Sequence, residues 1–151
     1  MKLSEIQSEW KSDSKINNLD LGSEAVKVAT LHAKYLTLLS NVKLQQRKAE
    51  SDYNNMRRIK YKYYRGELTQ TELDRLNLPQ YMGNKPLKNE MEEFLTCDED
   101  LNMLQDKVAY YKTLLFTLEQ ILRSLNSRTW DIKSAIEWQK FTNGAFWSKI
   151  Y

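Results

Sequence analysis

Apolar residues recur along this chain at alternating steps of three and four over two long stretches. The first runs Val28, Leu31, Tyr35, Leu38, Val42, Gln45, Ala49, Asp52, Met56, Ile59, Tyr63, and the second Leu101, Leu104, Val108, Tyr111, Leu115, Leu118, Leu122, Leu125. That alternation is the period of a helix with a single apolar seam. Neither stretch contains Gly or Pro, so nothing punctuates them. The first helix is predicted to begin near Ser23-Glu24, where a hydroxyl can cap and a carboxylate meets the positive end of the dipole. It should stop at Gly66, just past Arg65. Its seam is thin in the middle, where Gln45, Ala49 and Asp52 stand in for large apolar side chains.

The rest of the chain reads as connection and ends. Residues 67–89 hold both prolines (Pro79, Pro86) and Gly83, and form the connector, with a helical turn around Thr71–Leu76. A short helix over Met1–Trp10 follows from Leu3, Ile6 and Trp10, with Ser4 as its cap. A final short helix over Trp130–Thr142 presents Ile132, Ile136 and Trp138. The expected fold class is all-α: a long antiparallel helical hairpin, about 24–65 against 97–127, with short N- and C-terminal helices. A chain of 151 residues is expected to form one helical domain, residues 1–129 making the hairpin and 130–151 a C-terminal helix and tail.

Composition narrows the class further. Charged residues at 28% and apolar ones at 41% read as a polar, soluble helical protein, and no apolar run approaches a bilayer span. Glu5 and Glu9 interrupt what would have to be an apolar signal core, and the lone Cys97 suits a reducing compartment. Net charge is only +3, yet it is unevenly placed. Residues 43–65 carry eight cations against Glu50 and Asp52, a net of +6, whereas residues 84–106 carry two against seven acids, a net of −5. Such asymmetry speaks to partners more than the isoelectric point does.

Catalytic chemistry finds little support. His32 sits inside a helical pattern and is the only histidine, Cys97 has no thiol or imidazole neighbour in sequence, and the four glycines are too scattered for a phosphate loop. The cluster Asp98-Glu99-Asp100 precedes a helix and reads as capping rather than metal binding. The expectation is a protein that is not an enzyme and needs no metal or other cofactor.

The run Arg57-Arg58-Ile59-Lys60-Tyr61-Lys62-Tyr63-Tyr64-Arg65 is different, with five cations, three tyrosines and no acid. Cations suit phosphates, and flat rings suit unpaired bases. A helix end alone would account for Lys62 and Arg65 through the dipole, but not for Arg57, Arg58 and Lys60, because that effect fades within a turn. Heptad phase puts Ile59 and Tyr63 on the seam and Arg57, Arg58, Lys60, Tyr61, Lys62, Tyr64 and Arg65 on the other faces, which makes Tyr61 and Tyr64 the stacking candidates. Lys43, Arg47 and Lys48 extend the basic segment. The C-terminal aromatics Trp130, Trp138, Phe141, Phe146, Trp147 and Tyr151 exceed what one small bundle buries. With Ile132 and Ile136 they point to an intersubunit contact.

These residues resemble the phage recombination mediator proteins of the UvsY family. The resemblance covers essentially the whole chain and rests on Met1-Lys2-Leu3 with Ile6-Gln7 and Glu9, on Glu24-Ala25 leading to Lys34-Tyr35-Leu36, and on Tyr63-Tyr64 with Gly66. The family's binding motif has two cations separated by one residue, then two residues, then Tyr-Tyr-x-Gly, and its cations fall here on Arg58 and Lys60. The order of Arg and Lys is swapped, Arg57, Lys62 and Arg65 are additional, and the connector from Glu67 to Lys88 is longer than in the family. The resemblance implies a ring-like homo-oligomer in the cytoplasm of an infected bacterial host. It further implies binding of single-stranded DNA and loading of a recombinase onto strands covered by single-strand-binding protein. Arg58 and Lys60 would then be the first choices for phosphate contact. The competing expectation is a coiled-coil scaffold for an acidic protein partner, without DNA. A variant of it docks the −5 segment of one subunit on the +6 segment of its neighbour.

Overall fold

The computed structural model of the chain describes residues 1–144. Among the described residues five helices follow one another: α1 (Leu3–Asp13), α2 (Leu21–Tyr64), α3 (Gln70–Leu76), α4 (Met91–Thr96) and α5 (Glu99–Thr142). The all-α hairpin is present, its two arms being α2 and α5, each of 44 residues. The C-terminal helix expected over 130–142 exists as the continuation of α5, because no Gly or Pro interrupts the pattern after Leu125. Among the described residues no helix is long and apolar enough to cross a membrane.

Helix ends are set by local chemistry. Asp20, not Ser23, starts α2: its carboxylate accepts from the Ser23 N–H at 3.2 Å and its carbonyl from the Glu24 N–H. At the other end Gly66 adopts φ +69, a left-handed conformation that costs a side-chain-bearing residue more. There the Glu67 N–H reaches back to the Lys62 carbonyl and the Gly66 N–H to that of Tyr63, satisfying two orphan acceptors. In α1 the Glu5 carboxylate accepts from the Lys2 backbone N–H at 2.8 Å, so the cap comes from Glu5 rather than Ser4.

The chain packs as two compact units, one of Met1–Val42 with the chain from Thr113 onward, the other of Lys43–Lys112. In the first, α1 lies with the opening half of α2 and the closing half of α5, which run antiparallel. Its core is Ile6, Tyr35, Leu114, Leu118, Ile121, Leu125 and Ile132, all essentially out of water. Leu114 and Leu115 are both buried, and from there the seam of α5 continues as Leu118, Ile121, Leu125, Arg128 and Ile132. It thus shifts off the Leu115-Leu122 register expected from the sequence. Each fully buried leucine contributes about 2 kcal/mol of burial free energy.

Polar groups fasten α1 in this unit. Tyr35 is fully buried, its hydroxyl donates to Asp13 Oδ2 at 2.7 Å, and its ring meets Trp10 edge-on at 5.6 Å. Lys34 pairs with the same Asp13 oxygen at 2.6 Å and with Glu9 at 2.9 Å. Arg128, buried on the α5 seam, donates to the carbonyls of Asp13 and Ser14 and so caps the end of α1. A buried hydroxyl bonded to a charged group contributes about 1.5–3 kcal/mol net. Tyr35→Phe, which keeps the Trp10 contact, should lower unfolding free energy by about that much with an unchanged urea m-value.

Candidate nucleic-acid interface

The second unit carries the basic-aromatic end of α2. An open groove of about 480 Å³ runs along it, lined by Arg57, Arg58, Tyr61, Lys62 and Arg65 together with Asn54 and Glu67. Four of the five predicted cations and one of the two predicted stacking rings therefore converge. Arg58 and Lys62 are exposed, one helical turn apart, and make no ion pair among the described residues. Arg65 lies over the Tyr61 ring at 5.6 Å and pairs with Glu67 at 3.1 Å, while Arg57 pairs with Glu92 of α4. Tyr61 is half-buried, one part packed against Met91, Leu95 and Leu101 and the rest facing the groove. Exposed ion pairs of this kind are worth little, so incoming phosphate can displace Glu92 and Glu67 at small cost.

Lys43 and Arg47 are exposed and fall, by helical spacing, on the same face as Asn54, Arg58, Tyr61 and Arg65. Lys48 is exposed but lies about 100° round the helix from Arg47.

Two residues depart from the face expected of them. Lys60 is buried at 5% exposure, where its ammonium bridges Asp98 at 3.3 Å and Asp100 at 2.7 Å and lies 5.2 Å from the centre of the Tyr63 ring. Tyr64 donates its hydroxyl to Asp98 Oδ2 at 2.6 Å and sits among Tyr63, Tyr81 and Phe94, so it offers no platform to a base. Ile59 is only half-buried, the seam having rotated toward Lys60. The physical reason is that the end of α2 is not packed against one helix alone. The α4–α5 segment also packs there, and it delivers carboxylates where Lys60 points.

Asp98 organises that corner. Its Oδ1 accepts from the Leu101 N–H at 3.0 Å, the capping role read from the sequence, while Oδ2 takes Tyr64 and Lys60. Burial by itself pushes the Asp98 carboxyl up, but the Tyr64 hydroxyl, the Leu101 amide and the Lys60 ammonium outweigh it and hold it below the usual carboxylate value. Burial likewise pushes the Lys60 ammonium down, and its bonds to Asp100 and Asp98 reverse that to a net rise. Burial first, then the bond to Asp98, pushes the Tyr64 phenol up. The opposed charge blocks thus meet within one chain, at Lys60–Asp98, Lys60–Asp100 and Arg57–Glu92. The sequence held the signal for this in its +6 and −5 segments, but not the distances. Asn54 and Glu67 carried no sequence signal at all.

The expected oligomerisation residues divide. Trp130 and Trp138 are 68% and 65% exposed, and Phe141 is exposed beside Trp138, their rings stacked at 5.8 Å. Ile132 is buried at 2% in its own subunit's core, and Ile136 is half-buried. Phe146 and Trp147 lie outside the described residues.

Comparison with known proteins bears on what such a groove is for. A family model described as "Recombination, repair and ssDNA binding protein UvsY" matches residues 9–145. The chain belongs to the UvsY family. The recombination protein UvsY of Enterobacteria phage T4 is 26% identical over 146 residues, covering 95% of this chain and 99% of that protein. A crystal structure of the bacteriophage T4 recombination mediator protein UvsY superposes with a TM-score of 0.82 at 25% identity, covering 95% of this chain and 99% of that one. A second crystal form of the same protein gives 0.80 at 24% identity over 91% of this chain and 98% of that one, which speaks to the fold. Against the UvsY motif, the two cations on Arg58 and Lys60 take different surroundings here, Arg58 facing the open groove and Lys60 a buried carboxylate pair.

The Lys60–Asp98 pair has a pH signature. A carboxyl held low in the folded state adds stability that is complete above the ordinary value near 4 and is lost as pH falls through and below it. Asp98→Asn should cost on the order of 3 kcal/mol at neutral pH, since it leaves a buried ammonium with one partner fewer. The variant's stability should also fall less steeply than wild type below about pH 4. Urea unfolding across pH checks both; a wild-type-like variant would remove the pair from the account of this corner.

Proposed function

We propose that the chain is a recombination mediator that captures single-stranded DNA on the α2 groove and promotes loading of a recombinase onto strands covered by single-strand-binding protein. The observation that carries this reading is the convergence of Arg57, Arg58, Lys62 and Arg65 around Tyr61 in an open groove, in a family described as single-strand binding. Arg58 and Lys62 take phosphates without first giving up a partner. Tyr61, backed by Arg65, offers its exposed part to a base. Lys43 and Arg47 carry the strand further along the same face, and Lys48 adds to the field beside it. The work is binding and holding, with no catalytic step and no cofactor on this chain.

Assembly belongs to the same proposal. Large aromatic side chains rarely stay in water, and Trp130, Trp138 and Phe141 on α5 supply a surface for a homo-oligomeric ring. A ring presents several weak grooves to one strand, and effective concentration turns them into firm capture. The setting is the cytoplasm of the infected bacterial cell.

Two measurements test these points. Arg58→Ala with Lys62→Ala should weaken binding to a short labelled oligo-dT on the order of tenfold. It should also reduce the slope of log affinity against log salt by about 1.4, two contacts at roughly 0.7 each for single strands. An unchanged slope with intact helicity sinks the groove assignment, and no binding by wild type favours a scaffold without DNA. Trp130→Ser with Trp138→Ser, which spares the buried Ile132, should give smaller species in native mass spectrometry; an oligomer of unchanged mass removes these residues from the contact.

A further inference from the structure

The groove does not end on α2. Asn54, which lines it, also lines a second open depression of about 390 Å³ in the same unit. There it stands with Glu50 and Tyr53 of α2 and with Gln105, Val108 and Lys112 of α5. Nothing in the sequence singled out a residue of α5 for contact with DNA.

Charge explains why a strand would use this second depression. Residues 49–56 of α2 carry no cation and two acids, Glu50 and Asp52, so about 12 Å of helix between Lys48 and Arg57 offers no phosphate a partner. Lys112, from the facing helix, is exposed and makes no ion pair among the described residues. It supplies a cation beside that gap. The depression itself has the chemistry of a base site rather than a phosphate site. Tyr53 and Val108 give it a flat, apolar part, Tyr53 being steadied from behind by the Met91–Leu95–Leu101 cluster. Asn54 and Gln105 bring amides, each with donors and an acceptor. Glu50 brings a carboxylate whose Oε1 already accepts from Gln46 at 3.1 Å, leaving Oε2 to accept another donor. A carboxylate there repels phosphate and welcomes an amine.

We propose that this depression is a base subsite of the single-strand path: a nucleobase of the strand held at Arg58 and Lys62 turns in past Asn54 onto Tyr53, and Lys112 takes the neighbouring phosphate. This rests on the single-strand-binding reading above. Because Glu50 only accepts, the subsite favours a base with an exocyclic amine. Cytosine offers its N4 amine where thymine offers O4 and a methyl group.

Full-length wild type, Lys112→Ala and Glu50→Gln are to be titrated by anisotropy with labelled oligo-dC and oligo-dT of equal length across a salt series. Neither side chain belongs to the buried core, so circular dichroism should show unchanged helicity. Wild type should bind oligo-dC several-fold more tightly than oligo-dT. Lys112→Ala should lower the salt slope by about 0.7 for both oligomers, one single-strand phosphate contact. Glu50→Gln should bring the dC-to-dT ratio close to one. A wild-type slope in Lys112→Ala, or an unchanged ratio in Glu50→Gln, overturns the subsite while leaving the groove on α2 standing. A wild type that binds neither oligomer overturns the single-strand reading itself.

Discussion

The second unit depends on one buried carboxylate. Asp98 caps α5 through the Leu101 amide and at the same time receives the Lys60 ammonium and the Tyr64 hydroxyl from the end of α2. A lone charge at this depth would cost several kcal/mol. The two charges and the hydroxyl are tolerable only together, and satisfying them together fixes the rotation of α2 about its own axis. That rotation turns Lys60 and Tyr64 inward, and so turns Arg58, Tyr61, Lys62 and Arg65 outward into one groove. The interior pair and the exposed cations are two consequences of the same phase.

That arrangement changes what a binding motif means in this chain. Two cations separated by a single residue lie about 200° apart on a helix, so they cannot face one straight surface together. With Lys60 committed to Asp98 and Asp100, the partner of Arg58 becomes Lys62, which is one turn away on its own side. Of the cations additional to the family's motif, Lys62 is exposed, Arg57 pairs with Glu92, and Arg65 pairs with Glu67. The aromatic residues divide in the same way. Tyr64 joins Tyr63, Tyr81 and Phe94 in packing, and Tyr61 alone keeps part of its ring in the groove.

In the first unit the same economy of polar groups recurs. Asp13 holds the Tyr35 hydroxyl and the Lys34 ammonium, and its carbonyl with that of Ser14 receives Arg128 from α5. A short helix such as α1 is marginal by itself. Here Arg128 of α5 satisfies the carbonyls of its last turn while Lys34 and Tyr35 of α2 hold the Asp13 carboxylate, which is why eleven residues suffice. The exposed aromatics Trp130 and Trp138 stand on the same helix as buried Arg128 and Ile132, so one element both serves the interior and carries large rings in water.

Much of this was legible in the residues alone. The three-four alternation determined two long helices and Gly66 determined where the first one stops, whereas the separate short helix expected over 130–142 turned out to be the continuation of α5. The density of cations and rings over 57–65 marked the groove's location to within a turn. What periodicity could not decide was which of those cations would stay in water. Heptad phase assumes one packing partner, and at the end of α2 a second one, the α4–α5 segment, brings Asp98 and Asp100 to Lys60. Likewise Asn54 and Lys112 are unremarkable as letters and matter only because folding sets them around one depression. Local sequence determines helices because their hydrogen bonds and seams are local. Charge burial is a contest between residues some forty positions apart, and only the tertiary structure settles it.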